Sequence, residues 1–284
     1  MDGQRAQSRT ILTVDVGNTT TRLGLFQTGE DAATAVDAAP TSAAAPQPKG
    51  TLSLTTPAHI TSYEAQVLLE TAFQHWHLTG QVYGTALSCV VPSLQEAWET
   101  AILDLSQTRS LVVGPGVKTG LKMHYSDPQE IGADRLADCV AAKTCYGVPA
   151  VAITLGTSTS FEVIDGSGTF VGGIIAPGIK LGAQSLAAAA AKLPMVDLTM
   201  PKAYIGTSTR EAMQSGLMFG EAAKISGLLA GICAELGARP TVVISGDGAS
   251  TISQLISPDH AARIVVDEAL TLRGLAILWQ KNRR

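Results

Sequence analysis

Two stretches of the chain repeat one local design, and this repetition narrows the possible folds more than any other feature. "ILTVDVGNTTTRLGLF" runs from Ile11 to Phe26, and "VAITLGTSTSFEVI" from Val151 to Ile164. Each is an apolar strand with one polar residue (Asp15 or Thr154), a glycine two positions later (Gly17 or Gly156), three small polar side chains and a second strand. Asn18, Thr19 and Thr20 align with Thr157, Ser158 and Thr159. A glycine just after a strand lets the backbone turn tightly, so that successive N–H groups face one anion. Asp15 and Thr154 stand 139 positions apart, roughly the size of one domain. The expectation is two similar lobes with a phosphate-binding turn on either side of a cleft.

Around these hairpins, strand-like and helix-like segments alternate, which implies an α/β fold. Strands are expected near 10–17, 20–27, 51–55, 83–89, 110–113, 149–155, 159–164, 169–175 and 241–245. Helices are expected near 62–75, 93–105, 130–145, 178–192, 208–236, 250–256 and 267–281. Residues 1–8 read as a flexible extension, 9–147 as an N-terminal lobe and 148–284 as a C-terminal lobe whose last helix can pack back on the first. Residues 31–50, rich in Ala and Pro, read as a long exposed loop.

Composition excludes several classes of function. Of 284 residues, 45% are hydrophobic and 15% charged, and the net charge is −4. No dense basic patch interleaves with aromatics, so nucleic acid is not expected as a partner. No apolar run approaches the roughly 20 residues of a membrane span, and "MDGQRAQSR" lacks a signal-peptide core. Cys89, Cys139, Cys145 and Cys233 show no metal spacing and read as reduced core thiols. A cytoplasmic protein is expected.

The remaining motifs suggest chemistry. Asp15, at a strand end, is a hard oxygen ligand suited to Mg²⁺ through water, and Arg22 adds positive charge after Thr19, Thr20 and Thr21. In "IGADRLADCVAAKTC", from Ile131, helical spacing places Asp134 and Arg135 at a first turn. An acid there interacts favourably with the helix dipole. The same acid can orient a hydroxyl, because phosphoryl transfer passes through a loose transition state in which a weak base suffices. Capping and catalysis are compatible readings.

Taken in order, "DVGNTTTR", "GPGVKTGL", "YSDPQEIGADR", "LGTSTSFEVID", "GGIIAPGIKL" and "IGTSTREAMQSG" resemble type III pantothenate kinase. That family belongs to the actin/Hsp70/sugar-kinase superfamily, whose lobes are ribonuclease-H-like. The resemblance implies ATP-dependent phosphorylation of pantothenate to 4′-phosphopantothenate, the first step of coenzyme A biosynthesis. It maps the first phosphate motif onto Asp15, Val16, Gly17, Asn18, Thr19, Thr20, Thr21 and Arg22, with Asp15 near Mg²⁺. The second phosphate motif falls on Gly156 and Thr157. Asp134 becomes the proton acceptor, and Tyr125, Gly132, Ala133, Arg135 and Thr209 the pantothenate contacts. A homodimer is implied, the second subunit completing the pantothenate pocket.

Two departures stand out. Where many members carry an Asp that binds K⁺ or NH₄⁺, this chain has Thr154, whose hydroxyl lacks charge–charge attraction for a cation. "VVISGDG" replaces a usual Thr-Gly-Gly near the adenosine, which introduces Asp247. These departures keep open the alternative of a non-catalytic regulatory or binding relative. A kinase for another small hydroxylated acid is a third reading.

Overall fold

The structure, a computed structural model, describes residues 9–28, 46–78 and 81–283. The extension 1–8 and positions 31–45 of the expected loop lie outside the described residues. Two compact units emerge: the chain up to Gly147 together with Ala269 onward, and Val148–Glu268.

The first unit is built on β1 (Arg9–Val16), β2 (Thr20–Thr28), β3 (Pro48–Thr55), β4 (Val82–Cys89) and β5 (Leu111–Val112), with a short β6 (Lys122–Met123). The sheet order is β3-β2-β1-β4-β5. β1 runs antiparallel to β2 and parallel to β4, so it lies at the sheet centre. From Ile11 to Val16 every residue of β1 is buried, as a strand covered on both faces requires. Leu12, Val14 and Val16 join Leu69 of α1 (Ser62–His75) and Leu94 and Trp98 of α2 (Pro92–Ser106) in one core. Thr13 and Asp15 therefore face the other side. Thr61 and Glu64 form a reciprocal capping box at the start of α1, the pattern that "TSYE" encodes. Strand β3 begins at Pro48, inside the expected loop. Its pairing with Phe26 of β2 explains this, since proline is tolerated on an edge strand.

The second unit holds β7 (Ala150–Leu155), β8 (Ser158–Ile164), β9 (Thr169–Pro177), β10 (Thr241–Gly246) and β11 (Arg263–Val266). Its strands lie in the order β11-β10-β7-β8-β9. Here β7 is antiparallel to β8 and parallel to β10, and β10 is parallel to β11. This is the topology of the first unit, strand for strand. Equivalent hydrogen bonds recur: Val90 N–H donates to the Val16 carbonyl at 3.0 Å, and Asp247 N–H to the Leu155 carbonyl at 2.8 Å. The repeat read from two hairpins thus extends through five strands.

Helices of this unit are α4 (Ile179–Ala189), α5 (Thr209–Leu236) and α6 (Ala249–Ser253). Helix α4 stops short of the expected 192 because only Ala183 is buried on it. Alanine propensity without packing does not sustain a helix end. Helix α5, 28 residues long, corrects the expectation about membrane spans: by length and composition it could cross a bilayer. Its buried residues Met218, Ala222, Ile225, Leu229 and Ile232 recur at three- to four-residue spacing, the stripe of a core helix.

The last helix, α7 (Leu270–Asn282), groups with the first unit and packs on α3 (Ala133–Tyr146) and on β1 and β4. Close approach explains Gly274, where a Cβ would sit 2.0 Å from the Ala137 carbonyl oxygen. The Thr271 hydroxyl donates to the buried Asp138 carboxylate at 2.7 Å on the same interface.

Candidate active site

In the first unit, the hairpin turn, the end of β1 and the start of α3 supply one polar constellation. The turn closes with Gly17 N–H on the Thr20 carbonyl at 3.1 Å, and a Cβ on Gly17 would approach that oxygen to 2.9 Å. Asn18 and Thr19 are exposed at its tip. Thr21, expected among the phosphate donors, is buried, and its hydroxyl pairs with Thr56 at 2.9 Å. Alternation along β2 turns Thr21 towards the core and leaves Arg22 on the face of Asp15. Asp15 lies between Arg22 and Ser88 in the strand register.

Asp15 is buried, and its Oδ1 has no hydrogen-bond partner. Burial, reinforced by the charge of Asp134, pushes its carboxyl up to about 7; Ser88 and Arg22 pull weakly the other way. The structure thus brings Asp15 and Asp134 within electrostatic reach. Asp134 stands in the first turn of α3, where its Oδ1 accepts from Arg135 N–H at 2.8 Å. Gly132 leaves room for it: a Cβ there would lie 2.5 Å from that oxygen. Ala133 and Arg135 flank it in the same turn, partly buried. Tyr125, between β6 and the 3₁₀ turn Pro128–Glu130, is also partly buried.

Groups of three or more His, Cys, Asp or Glu suited to a metal are absent among the described residues. A cage of protein ligands is not what Mg²⁺ needs, because it keeps several waters and uses one or two carboxylates with phosphate. A buried carboxylate with an unsatisfied oxygen beside a second carboxylate fits that donor set.

In the second unit, Gly156 N–H bonds to the Ser158 carbonyl at 2.9 Å, and Gly178 N–H to the Thr157 carbonyl at 3.1 Å. Thr157 is exposed on this turn. Next to it opens a cavity of about 410 Å³, lined by Gly156, Thr159, Lys180, Met218, Asp247 and Ile252 among others. Thr154, partly buried, lies beside Ser245 in the register, as Asp15 lies beside Ser88. Thr209 is exposed at the first residue of α5 and does not line the cavity.

Sequence reading misses the support beneath this turn. Glu221 of α5 is buried; its Oε1 accepts from the Thr159 hydroxyl at 2.6 Å and its Oε2 from Lys224 at 2.6 Å. Lys224 also donates to the Pro177 carbonyl at 2.7 Å, just before Gly178. Charges three apart inside an apolar helix are the available signal. Glu221→Ala should destabilise the protein by about 2 kcal/mol in urea unfolding, because it removes the acceptor of the buried Thr159 hydroxyl and the carboxylate partner of Lys224. An unchanged midpoint would show that the network contributes nothing to stability.

Comparisons with known proteins identify the family. The sequence profile of type III pantothenate kinase matches residues 11–231. The chain belongs to the type III pantothenate kinase family. A type III pantothenate kinase from Listeria monocytogenes serotype 4a (strain HCC23) is 35% identical over 278 residues, 96% of this chain and 98% of that one. One from Bacillus cytotoxicus is 33% identical, covering 96% of each. Among solved structures, the activator of 2-hydroxyisocaproyl-CoA dehydratase from Clostridium difficile, with bound ADPNP, aligns over 95% of this chain and 94% of its own. Its TM-score is 0.53 at 9% identity. The Acidaminococcus fermentans (R)-2-hydroxyglutaryl-CoA dehydratase component A gives 0.52 at 12% identity over 96% and 97%. At such identity these two speak for the fold alone, which is mixed α/β with two sheets.

Proposed function

We propose that the protein transfers the terminal phosphoryl group of ATP to the primary 4′-hydroxyl of pantothenate, giving 4′-phosphopantothenate and ADP. Family membership supplies the substrate. The observation that supports the chemistry is the coupling of buried Asp15 to Asp134 at the start of α3. In this reading Asp134 orients the alcohol and accepts its proton. The alcohol oxygen forms a bond to the γ-phosphorus as the bond to the ADP oxygen breaks. Backbone N–H groups at the Gly17 and Gly156 turns, with Asn18, Thr19 and Thr157, donate to phosphate oxygens. Asp15 would hold Mg²⁺ through water, and the bound ion would offset charge on the phosphates. Tyr125, Arg135 and Thr209 are the proposed pantothenate contacts.

A second copy of the chain would complete the pantothenate pocket. Met195, Tyr204 and Ile205, at 60%, 75% and 85% exposed, are apolar surface that such a copy could cover. The proposal places this bacterial-type enzyme in the cytoplasm, without a nucleic-acid or membrane partner.

ADP release by the purified protein, with pantothenate and with a panel of other small hydroxy acids, tests the reading. Pantothenate should be the strongly preferred acceptor; binding of ATP without turnover of any acceptor would return the chain to the non-catalytic alternative. The same assay tests the cation argument. Thr154 and Ser245 offer only neutral oxygens, so omitting K⁺ and NH₄⁺ should change the rate little, and Thr154→Asp should introduce a dependence. An enzyme inactive without K⁺ would contradict this.

A further inference from the structure

The cavity of the second unit carries a pair of opposite charges that neither the phosphate turns nor the proton acceptor explains. Lys180, in the first turn of α4, and Asp247, just after β10, both line it. The Lys180 ammonium lies 2.5 Å from Asp247 Oδ2, with the side chains 61% and 44% exposed. An ion pair so open to water is weak, and a ligand with better partners can separate it.

The backbones that carry the two charges are fixed. Asp247 N–H is tied to the Leu155 carbonyl at 2.8 Å. Gly246 before it has φ +92°, and a Cβ there would fall 2.1 Å from the same oxygen. Lys180 follows Gly178, whose N–H bonds to the Thr157 carbonyl and whose Cβ, if present, would lie 2.2 Å from the Gly156 carbonyl. Both charges thus project from positions pinned to the second glycine turn. Much of the remaining wall is apolar: Leu198, Met200, Met218 and Ile252. A volume of about 410 Å³ is within the range of small-molecule sites. A ligand with an apolar body, hydroxyl donors and an anionic tail satisfies all three features, and a nucleoside polyphosphate is such a ligand.

We infer that Lys180 and Asp247 form a nucleotide-recognition pair, neutralising each other in the free protein and separating when a nucleotide binds. The ammonium passes to a phosphate oxygen, and the carboxylate accepts hydrogen bonds from the ribose hydroxyls. The inference rests on the ATP-using reading and extends it to specificity.

The test is calorimetric binding of the β,γ-imido analogue of ATP, its 2′,3′-dideoxy form and adenosine to the full chain. Wild type should bind the ribose analogue about tenfold more tightly than the dideoxy form, in line with charge-assisted hydrogen bonds that are partly solvated. Asp247→Asn should shrink that preference. Lys180→Met, with Lys180→Gln as a second variant, should weaken the triphosphate about tenfold and adenosine hardly at all. The absence of a ribose preference in wild type, or equal weakening of adenosine and triphosphate by both Lys180 variants, would overturn the inference. Pantothenate-dependent ADP release, measured separately on wild type, keeps the two proposals apart. Discrimination without turnover would sink the pantothenate reading alone, and turnover without discrimination would sink the recognition pair alone.

Discussion

Asp134→Asn should lower pantothenate turnover by about 10²–10⁴-fold, the usual contribution of a positioned acid–base group. Nucleotide affinity should stay close to wild type. The substitution isolates proton acceptance from shape. An asparagine carbonyl can still accept from Arg135 N–H, as Asp134 Oδ1 does at 2.8 Å, and it fits the space that Gly132 leaves open. What it cannot do is take a proton from an alcohol. The charge of Asp134 also raises the carboxyl pKa of Asp15, so the variant should let Asp15 ionise at lower pH. Single-turnover rates, paired with ATP binding on the same preparation, check both halves. Near-normal turnover would remove Asp134 from the role.

Asp15→Asn should act in two opposite directions. Activity should fall at least about 100-fold, because the variant loses the charge that would hold Mg²⁺ against the phosphates. In metal-free buffer the variant should nevertheless be more stable than wild type above neutrality. A carboxyl at about 7 rather than 3.8 costs roughly 4 kcal/mol when ionised in place. An amide buried without a full set of partners gives back roughly 1–3 kcal/mol of that, which leaves a net gain of about 2 kcal/mol. The sign follows from proton linkage. The folded protein holds this proton more tightly than the unfolded chain, so wild type loses stability as pH rises from about 4 to about 7 and then levels off. An amide at this position does not titrate, so the variant has no such dependence. The difference between the two proteins should therefore change sign across that window, from a variant less stable than wild type by about 2 kcal/mol near pH 4 to one more stable by about 2 kcal/mol above pH 7. Urea midpoints at pH 5 and pH 8, in the presence of a chelator, measure it. A variant less stable than wild type at pH 8 would show that Asp15 is compensated by a partner.

What the amino-acid sequence reveals of this architecture, and what it conceals, follows the range of the interactions involved. The glycine turns, the capping box at Thr61 and the start of α3 are local, and each can be read from neighbouring residues. Strand β11 escapes such a reading. "RIVV" is short and runs into "DEAL", and only its parallel pairing with β10 makes it a strand. Strand β3 likewise owes its first residues to β2. At the site, "GADR" marks Asp134, but neither the burial of Asp15 nor its coupling to Asp134 can be seen without the fold that joins positions 119 residues apart. The Thr159–Glu221 bond and the Lys180–Asp247 pair are similarly long-range. Thr21 shows the reverse case. Three consecutive threonines look like equivalent donors, yet alternation in a strand commits the last of them to the core.

The most direct measurement is a structure with a non-hydrolysable ATP analogue and pantothenate bound together. The 4′-oxygen of pantothenate should lie within about 2.6–3.2 Å of the Asp134 carboxylate, the reach of a general base, with phosphate oxygens on the N–H groups of the Gly17 and Gly156 turns. A pantothenate hydroxyl held far from Asp134, or a triphosphate that avoids either turn, would contradict the account.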